Sequence, residues 1–312
     1  MKDKGSVTNS GKICAVVVTY NRKTLLEECL KALQKQTRRL DEVIVIDNAS
    51  TDGTEELMKT RFADITYVKL PQNIGGSGGF HEGIKLAYEK GHDWIWVMDD
   101  DAIPVADALE KLISCSMIHQ DKVYALASAV LNRDGSIHLN PRRLFDPETL
   151  LEAEISIDKY KQDYFQMDTA SFVGLLISRK FVEVFGLPIK DFFIYYDDTE
   201  YSLRIQNLGI MITVPDSKII HGAYRNASEE LERRAARPDW DWKYYYFVRN
   251  RIYTYRKHGN VGFIMLMTWT LQMSRDIFNR HHSRFKNMKI LLWATLDGLI
   301  GKLGKNNKFL PN

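Results

Sequence analysis

Along the first hundred residues, continuous apolar runs alternate with segments in which the apolar residues have helical spacing. Short, continuously apolar runs predict β-strands, and these lie at 13–18, 42–46, 65–70 and 94–98. Segments with apolar residues three and four positions apart predict helices between the strands, at 24–36, after residue 54 and at 81–90. Strands that are apolar along their whole length are typical of a parallel sheet with helices on both faces. The pattern therefore predicts an α/β fold with a Rossmann-like, mostly parallel central sheet.

The pattern beyond residue 124 is less regular. Residues 124–164 predict short strands and an irregular connection, whereas residues 191–209 predict a strand or loop that enters a helix. Residues 210–214 predict a further strand, which Pro215 is expected to close because proline cannot donate to a ladder. Two apolar segments follow at 261–273 and 290–300, and both are shorter than the ~20 residues that a membrane span needs.

Composition excludes several classes of protein. The chain has 312 residues, of which 45% are hydrophobic and 27% are charged, so a disordered or fibrous protein is excluded. Only three cysteines occur, without a CxxC pair, which excludes a disulfide scaffold and a cysteine zinc site. This cysteine usage and the polar residues 1–12, which lack the apolar core of a signal peptide, predict a cytoplasmic protein.

Charge is distributed unevenly along the chain. Residues 249–312 contain twelve Lys and Arg but only two acidic residues, whereas residues 1–248 carry a net charge of −7. Basic residues flank both apolar segments of the tail, which predicts amphipathic helices on the surface of an anionic membrane. A helical packing surface or a homo-oligomer interface is the alternative. Nucleic acid is not predicted as a partner, because the apolar content exceeds what phosphate binding needs.

Three adjacent carboxylates follow the predicted strand at 94–98 directly. Asp99, Asp100 and Asp101 repel each other unless a cation or N–H groups compensate their charge. The carboxylate oxygens of short side chains, together with the oxygens of a bound diphosphate, suit Mg²⁺ or Mn²⁺. Substrates of such folds bind at the carboxyl ends of parallel strands, where this triplet is expected to lie. Capping of the next helix needs only one Asp and is the simpler alternative.

Two more strand ends carry polar groups. Thr19 and Asn21 follow the first predicted strand, and Asp47 ends the second, where a carboxylate can contact a nucleotide or order a turn. Four glycines in the segment Asn73–Phe80, of which Gly75 and Gly76 are the first two, predict a loop that permits close backbone approach. Its N–H groups are expected to meet a phosphate or a sugar, with a plain surface loop as the alternative.

A second acidic cluster opens the helix expected after residue 196. Acids in a first turn are favoured by the helix dipole alone, but Asp198 would stay ionised and could take a proton from a hydroxyl group. His221 ends an apolar run, where a packed histidine is common. If it lies beside Asp99 and Asp101, it could complete a metal site as a neutral imidazole.

Five motifs together resemble the family 2 inverting glycosyltransferases of GT-A fold. They lie in order within residues 16–204 and read VVVTYNR, VIVIDNASTDGT, NIGGSGGF, WVMDDDA and YYDDTEYSLR. With His221 and the segment YYYFVRNR at 244–251, the chain is similar to bacterial galactofuranosyltransferases and the related rhamnosyltransferases. The resemblance implies a GT-A catalytic domain at 13–240, with a nucleotide-sugar half (13–125) and an acceptor half (126–240). It leaves a helical, membrane-associating region at 241–312.

The resemblance also implies residue roles. Asp99, Asp101 and His221 would hold Mn²⁺ or Mg²⁺, and Asp198 would be the general base. The predicted donor contacts are Thr19, Asn21, Asp47, Gly75, Gly76, Asp100 and Arg249.

The implied reaction moves galactofuranose from UDP-galactofuranose to a hydroxyl of a lipid-linked glycan at the inner face of the cell membrane. The alternative donor is dTDP-rhamnose. More distant alternatives are a nucleotidyltransferase, which would release pyrophosphate, and a non-catalytic membrane scaffold.

Overall fold

The computed structural model describes residues 11–206, 208–222, 242–259, 263–280 and 283–310. The strands within these residues are β1 (Ile13–Thr19), β2 (Glu42–Asp47), β3 (Thr66–Lys69), β4 (Trp94–Asp99), β5 (Ala102–Pro104), β6 (Val123–Leu131), β7 (Arg142–Asp146), β8 (Leu151–Glu154), β9 (Phe165–Met167), β10 (Thr169–Ala170), β11 (Leu175–Ser178) and β12 (Ile210–His221). The α-helices are α1 (Lys23–Gln34), α2 (Thr54–Arg61), α3 (Gly75–Glu89), α4 (Ala108–Ile113), α5 (Arg179–Phe185), α6 (Asp197–Leu203), α7 (Trp242–His258), α8 (Phe263–Arg280) and α9 (Arg284–Ile300). A short 3₁₀ helix at Lys190–Phe192 also matters for the site.

Within the described residues, a nine-stranded sheet has the order β3-β2-β1-β4-β11-β6-β12-β5, with β9 paired to β12. Strands β3, β2, β1 and β4 are parallel, as is the β6–β12 pair, whereas β11 runs antiparallel between β4 and β6. A small antiparallel sheet has the order β10-β7-β8. The predicted α/β architecture with a mostly parallel sheet is confirmed.

Both faces of this sheet are covered by helices, as the uninterrupted apolar strands predicted. Ile13, Ala15 and Val17 of β1 pack in the core with α1, α2 and α4. Their neighbours Cys14 and Val16 pack on the opposite face with residues of α3, α5 and α6. Since successive side chains of a strand point to opposite faces, β1 must be apolar at every position to fill both cores.

The glycine-rich segment differs from its prediction, because Gly75 begins helix α3 instead of lying in a loop. A side chain at Gly79 would come within 2.5 Å of Val18 Cγ1, and one at Gly83 would collide with Val16. These glycines therefore let α3 pack directly on β1. Packing against the sheet outweighs the low helix propensity of glycine.

The strand predicted at 210–214 is also longer than expected, since β12 continues past Pro215 to His221. The pairing of β12 with β6 shifts register between Val214 and Lys218, so Pro215 lies where the regular ladder is interrupted. The strand then resumes and pairs His221 with Ala102 of β5. The pairing with β5 places His221 beside the acidic triplet.

The last three helices, α7 to α9, share an apolar core with Phe193, so they pack against the segment that follows the 3₁₀ helix. Among the described residues, no helix is long and apolar enough to span a membrane. The N-terminal residues 1–10, the end of the expected catalytic domain at 223–240 and the start of the apolar segment at 261–262 lie outside the described residues.

Candidate active site

Three parallel strands end side by side at one edge of the main sheet. The register places Thr19 of β1 opposite Asp47 of β2, and Val18 opposite Asp99 of β4. The polar residues that follow these strands therefore share one edge, as expected for a ligand crevice of an open α/β sheet.

The middle carboxylate of the triplet is enclosed by hydrogen-bond donors. Asp100 is 3% exposed and accepts a 2.7 Å hydrogen bond from Thr19 Oγ1. Arg22 Nη1 donates to Asp100 at 3.2 Å and to Asp101 at 3.3 Å. Arg22 was not among the predicted site residues. Its position shortly after β1, at the same edge of the sheet as the acidic triplet after β4, was a usable signal. Arg22 partly balances the charge of the triplet.

The other two carboxylates form a cluster with His221. One potential ligand atom from each of Asp99, Asp101 and His221 lies within 4.8 Å of the others. His221 Nε2 is 3.1 Å from Asp101 Oδ1 and 3.8 Å from Asp99 Oδ2. Asp101 Oδ1 is buried and, apart from this contact with the imidazole, has no hydrogen-bond partner among the described residues. An unsatisfied buried oxygen beside a carboxylate and an imidazole fits a divalent cation such as Mn²⁺ or Mg²⁺.

The protonation behaviour of this cluster reflects its crowded charge. Partial burial and the neighbouring Asp101 raise the pKa of Asp99 to about 7. Burial opposes ionisation of Asp101 as well, but His221 and Arg22 lower the pKa of its carboxyl below the usual value. Although burial acts in the other direction, the Asp101 carboxylate raises the pKa of His221. The cluster therefore attracts positive charge, either a proton or a metal ion.

Asp47 is hydrogen-bonded within the protein. It is fully buried, its Oδ1 accepts from Ser50 N at 2.8 Å, and Tyr67 donates to its Oδ2 at 2.5 Å. Asn21 contributes to the same loop, because its backbone N donates to Ser50 Oγ and its Oδ1 accepts from Thr51 N. Asp47 thus orders the turn after β2, and its contact with the nucleotide stays a prediction. Thr19 and Asn21 stay predicted donor contacts.

The start of α3 contacts protein as well. Gly75 has a φ of +82°, and any Cβ at this position would collide with the carbonyl oxygen of Phe193. Ser77 N donates to the same oxygen at 3.2 Å. A backbone carbonyl group therefore lies where a Gly75 side chain would be, and the contact of Gly75 with a phosphate or a sugar stays a prediction. Gly76 borders open space and stays a predicted donor contact.

Asp198 lies in the first turn of α6, as predicted, and is partly buried. Its Oδ1 accepts a 2.6 Å hydrogen bond from Thr199 N. Burial, together with the negative charge of Glu152, raises the pKa of Asp198 to about 6 against the opposing effect of the Thr199 N–H. A carboxylate with this pKa is mostly ionised at neutral pH and is a competent proton acceptor.

The chain that leads to Asp198 has an unusual backbone. Phe193, Tyr195 and Tyr196 all have φ between 66° and 69°, in the left-handed region. This conformation costs about 1–3 kcal/mol for each non-glycine residue and persists only where the surroundings enforce it. Sequence reasoning missed this feature because aromatic residues do not signal a left-handed turn.

Arg249 of α7 is hydrogen-bonded to the backbone of other segments. Its guanidinium is fully buried and donates to the carbonyl oxygens of Gly304, Asp191 and Phe192. The structure therefore places this guanidinium on backbone carbonyl groups, and the contact of Arg249 with the donor stays a prediction.

Comparison with solved structures identifies the fold, and a family model identifies the class of protein. The crystal structure of GalNAc-T7 with UDP, GalNAc and Mn²⁺ superimposes with a TM-score of 0.59 at 15% identity, covering 88% of this chain and 59% of that one. The fold is thus the GT-A fold of glycosyltransferases, as the motifs implied. A family model described as "Glycosyl transferase family 2" matches residues 14–185, and the chain belongs to this family.

Two relatives match most of the chain. The galactofuranosyltransferase GlfT1 of Mycolicibacterium smegmatis is 29% identical over 81% of this chain and 86% of its own length. The dTDP-rhamnosyl transferase RfbF of Shigella flexneri is also 29% identical, over 95% of this chain and 98% of its own. A glycosyltransferase is therefore established, whereas the nucleotidyltransferase and scaffold alternatives are not supported.

Proposed function

We propose that this glycosyltransferase transfers galactofuranose from UDP-galactofuranose to a hydroxyl group of a lipid-linked glycan, with inversion at the anomeric carbon. The observation that carries the proposal is the cluster of Asp99, Asp101 and His221 at the edge of the sheet. Mn²⁺ or Mg²⁺ held by these residues would neutralise the charge that develops on the departing diphosphate.

Side chains of this protein would balance the charge of the triplet and accept the proton of the acceptor hydroxyl. Thr19 and Arg22 hold Asp100 and limit repulsion within the triplet. Asp198 would accept the proton of the attacking hydroxyl while that oxygen bonds to the anomeric carbon from the side opposite the diphosphate. Single displacement of this kind parallels the chemistry of inverting glycosidases, in which one carboxylate activates the nucleophile.

The second candidate donor is dTDP-rhamnose. The rhamnosyl transferase from Shigella flexneri aligns over nearly the full length of both chains, which favours this alternative. The two donors differ in base and sugar, so they can be separated directly in solution.

A donor panel with and without Mn²⁺ tests the proposed function. With an alkyl-linked sugar acceptor, we expect UDP release from UDP-galactofuranose to exceed nucleotide release from dTDP-rhamnose or UDP-glucose by at least roughly tenfold, a discrimination that polar contacts to one sugar can provide. EDTA should abolish this release. Faster release of dTDP would support the rhamnosyl alternative instead, and no release from any donor would contradict both.

We also infer that helix α9 rests on an anionic membrane, where a lipid-linked acceptor would reside. One face of α9 carries exposed apolar side chains, with Phe285 94% and Leu292 62% exposed, and Leu296 and Ile300 continue this stripe. Lys289 shares the helical spacing of the stripe. A neighbouring cavity of about 420 Å³ is lined by Lys286, Lys289, Lys308, Trp242, Ile290, Phe309 and Leu310. Apolar side chains among lysines favour the headgroup layer of anionic lipid.

Vesicle sedimentation tests this docking surface. Replacing Lys286 and Lys289 by Ala is expected to weaken binding to vesicles that contain phosphatidylserine by roughly 30-fold, since each lysine contributes about 1 kcal/mol. The matched control replaces Lys85 and Lys161, which are exposed elsewhere on the protein, and should bind like the wild type. If the wild type ignores vesicles but forms dimers through α9, the homo-oligomer alternative is correct.

A further inference from the structure

The backbone before Asp198 cannot hold its conformation alone. Phe193, Tyr195 and Tyr196 have φ values of 68°, 69° and 66°. For side chains with a Cβ, and for bulky ones above all, this region is crowded and unfavourable. Three such residues directly before the predicted base therefore need contacts from elsewhere in the fold, and the side chains of α7 supply them.

The two N–H donors of the Asn250 side-chain amide are shared among three carbonyl groups of this segment. Its Nδ2 donates to Phe192 O at 3.0 Å, to Ile194 O at 2.9 Å and to Tyr195 O at 2.8 Å. Asn250 is fully buried, so water does not compete for these carbonyl groups. One amide thus fixes the backbone on both sides of Phe193 and up to Tyr195.

Arg249 completes the arrangement from the preceding position. Its Nη2 donates to Asp191 O at 3.2 Å and to Phe192 O at 3.0 Å. Its Nε donates to Asn250 Oδ1 at 2.8 Å, which orients the amide so that Nδ2 faces the carbonyl groups. A guanidinium with rigid, forked donors suits this task better than a lysine would.

The opposite side of the segment is held by α3. Ser77 N donates to Phe193 O at 3.2 Å, and Gly75 leaves the space that this oxygen requires. The segment is therefore held between α3, which carries a motif of the nucleotide-sugar half, and α7 of the C-terminal region. This arrangement links the C-terminal helices to the place of Asp198.

We propose that Arg249 and Asn250 are positioning residues, which hold the strained segment 191–196 so that Asp198 is presented to the acceptor hydroxyl. The inference rests on the proposed role of Asp198 as base. It gives the C-terminal region a part in catalysis that requires no contact with either substrate. A base displaced by about 1 Å loses roughly 100-fold in rate, so loss of this support should reduce turnover and spare donor binding.

The test compares Asn250→Ala with Val248→Ala. Both residues are fully buried on α7, but the valine side chain has no donor for a carbonyl group. For Asn250→Ala we expect kcat to fall roughly 100-fold, with the Kd for UDP and Mn²⁺ within threefold of the wild type. Amide hydrogen exchange of residues 193–198 should accelerate at least tenfold. Val248→Ala should lower the melting temperature without changing either property.

Two outcomes would overturn the inference. The first is wild-type kcat in folded Asn250→Ala; the second is equal acceleration of exchange in both variants, which indicates general destabilisation only. If Asn250→Ala does not fold, Asn250→Ser keeps one donor, and the same readouts should show an intermediate loss. Amide hydrogen exchange is measured without substrate, so it tests the support of this segment even if the wild type transfers no sugar. The absence of transfer by the wild type would contradict the proposed function and not the support of the segment.

Discussion

Asp198→Asn should reduce sugar transfer by roughly 10²–10⁴-fold, the usual contribution of a general base. The substitution keeps the size of the side chain and removes its ability to accept a proton. Binding of UDP with Mn²⁺ should stay within threefold of the wild type, because the predicted metal ligands lie outside helix α6. Steady-state transfer kinetics and titration calorimetry with UDP measure the two effects separately.

A matched control comes from the same segment. Asp191→Asn makes the same chemical change at an exposed residue, and its transfer rate should equal that of the wild type. Normal turnover by Asp198→Asn would remove this residue from the mechanism and leave the base unassigned.

The pH profile checks the same assignment independently. Burial and the charge of Glu152 raise the pKa of Asp198 to about 6, so the basic form is lost as the pH falls through 6. The kcat/KM of the wild type should therefore rise with pH up to about 7 and then level off. A bound divalent cation keeps Asp99 and Asp101 ionised, so their own titration should not produce this limb. A flat profile between pH 5 and 7 would contradict the assignment.

Asp101→Ala should abolish the effect of Mn²⁺ on nucleotide binding. Asp101 Oδ1 is the buried oxygen beside His221, and its loss leaves two candidate ligands, Asp99 and His221, in this cluster of the described residues. We expect the affinity for UDP in the presence of Mn²⁺ to fall by roughly 100-fold. Changing a residue that only supports a metal ligand costs up to about 100-fold in metal affinity, and loss of a ligand itself should cost at least as much. Calorimetry with EDTA-treated protein, before and after addition of Mn²⁺, measures the difference.

The control for this variant is Asp64→Ala, which removes an exposed carboxylate far along the chain from the triplet. It should leave the response to Mn²⁺ unchanged. If Asp101→Ala keeps the full response, the metal is held elsewhere or is not needed, and the proposed role of the cluster fails.

The parts that were predictable from sequence share a local cause. The strands at 13–18, 42–46 and 94–98 were found because each is apolar at every position, and that pattern arises when both faces of a strand are buried. Asp99 and Asp101 were found because they follow such a strand. Asp198 was placed in the first turn of a helix by its own acidic neighbours.

Other predictions failed where distant residues decide. The glycines before Phe80 predicted a loop, but the close approach of α3 to Val18 makes them helical. Pro215 predicted the end of a strand, but a register shift carries β12 on to His221. Asp47 and Arg249 stay predicted donor contacts, but the structure also gives both of them buried hydrogen-bond partners that no local pattern reveals.

The sequence by itself determined the class of the fold, the family and the acidic residues at the strand ends, because periodicity and strand-end chemistry are encoded within a few neighbouring positions. Only the tertiary structure brought His221 to Asp101 across 120 residues and fastened the strained segment before Asp198 to α7. Such contacts depend on how the chain packs in three dimensions, and side-chain donors that serve distant carbonyl groups leave no periodic trace in the sequence.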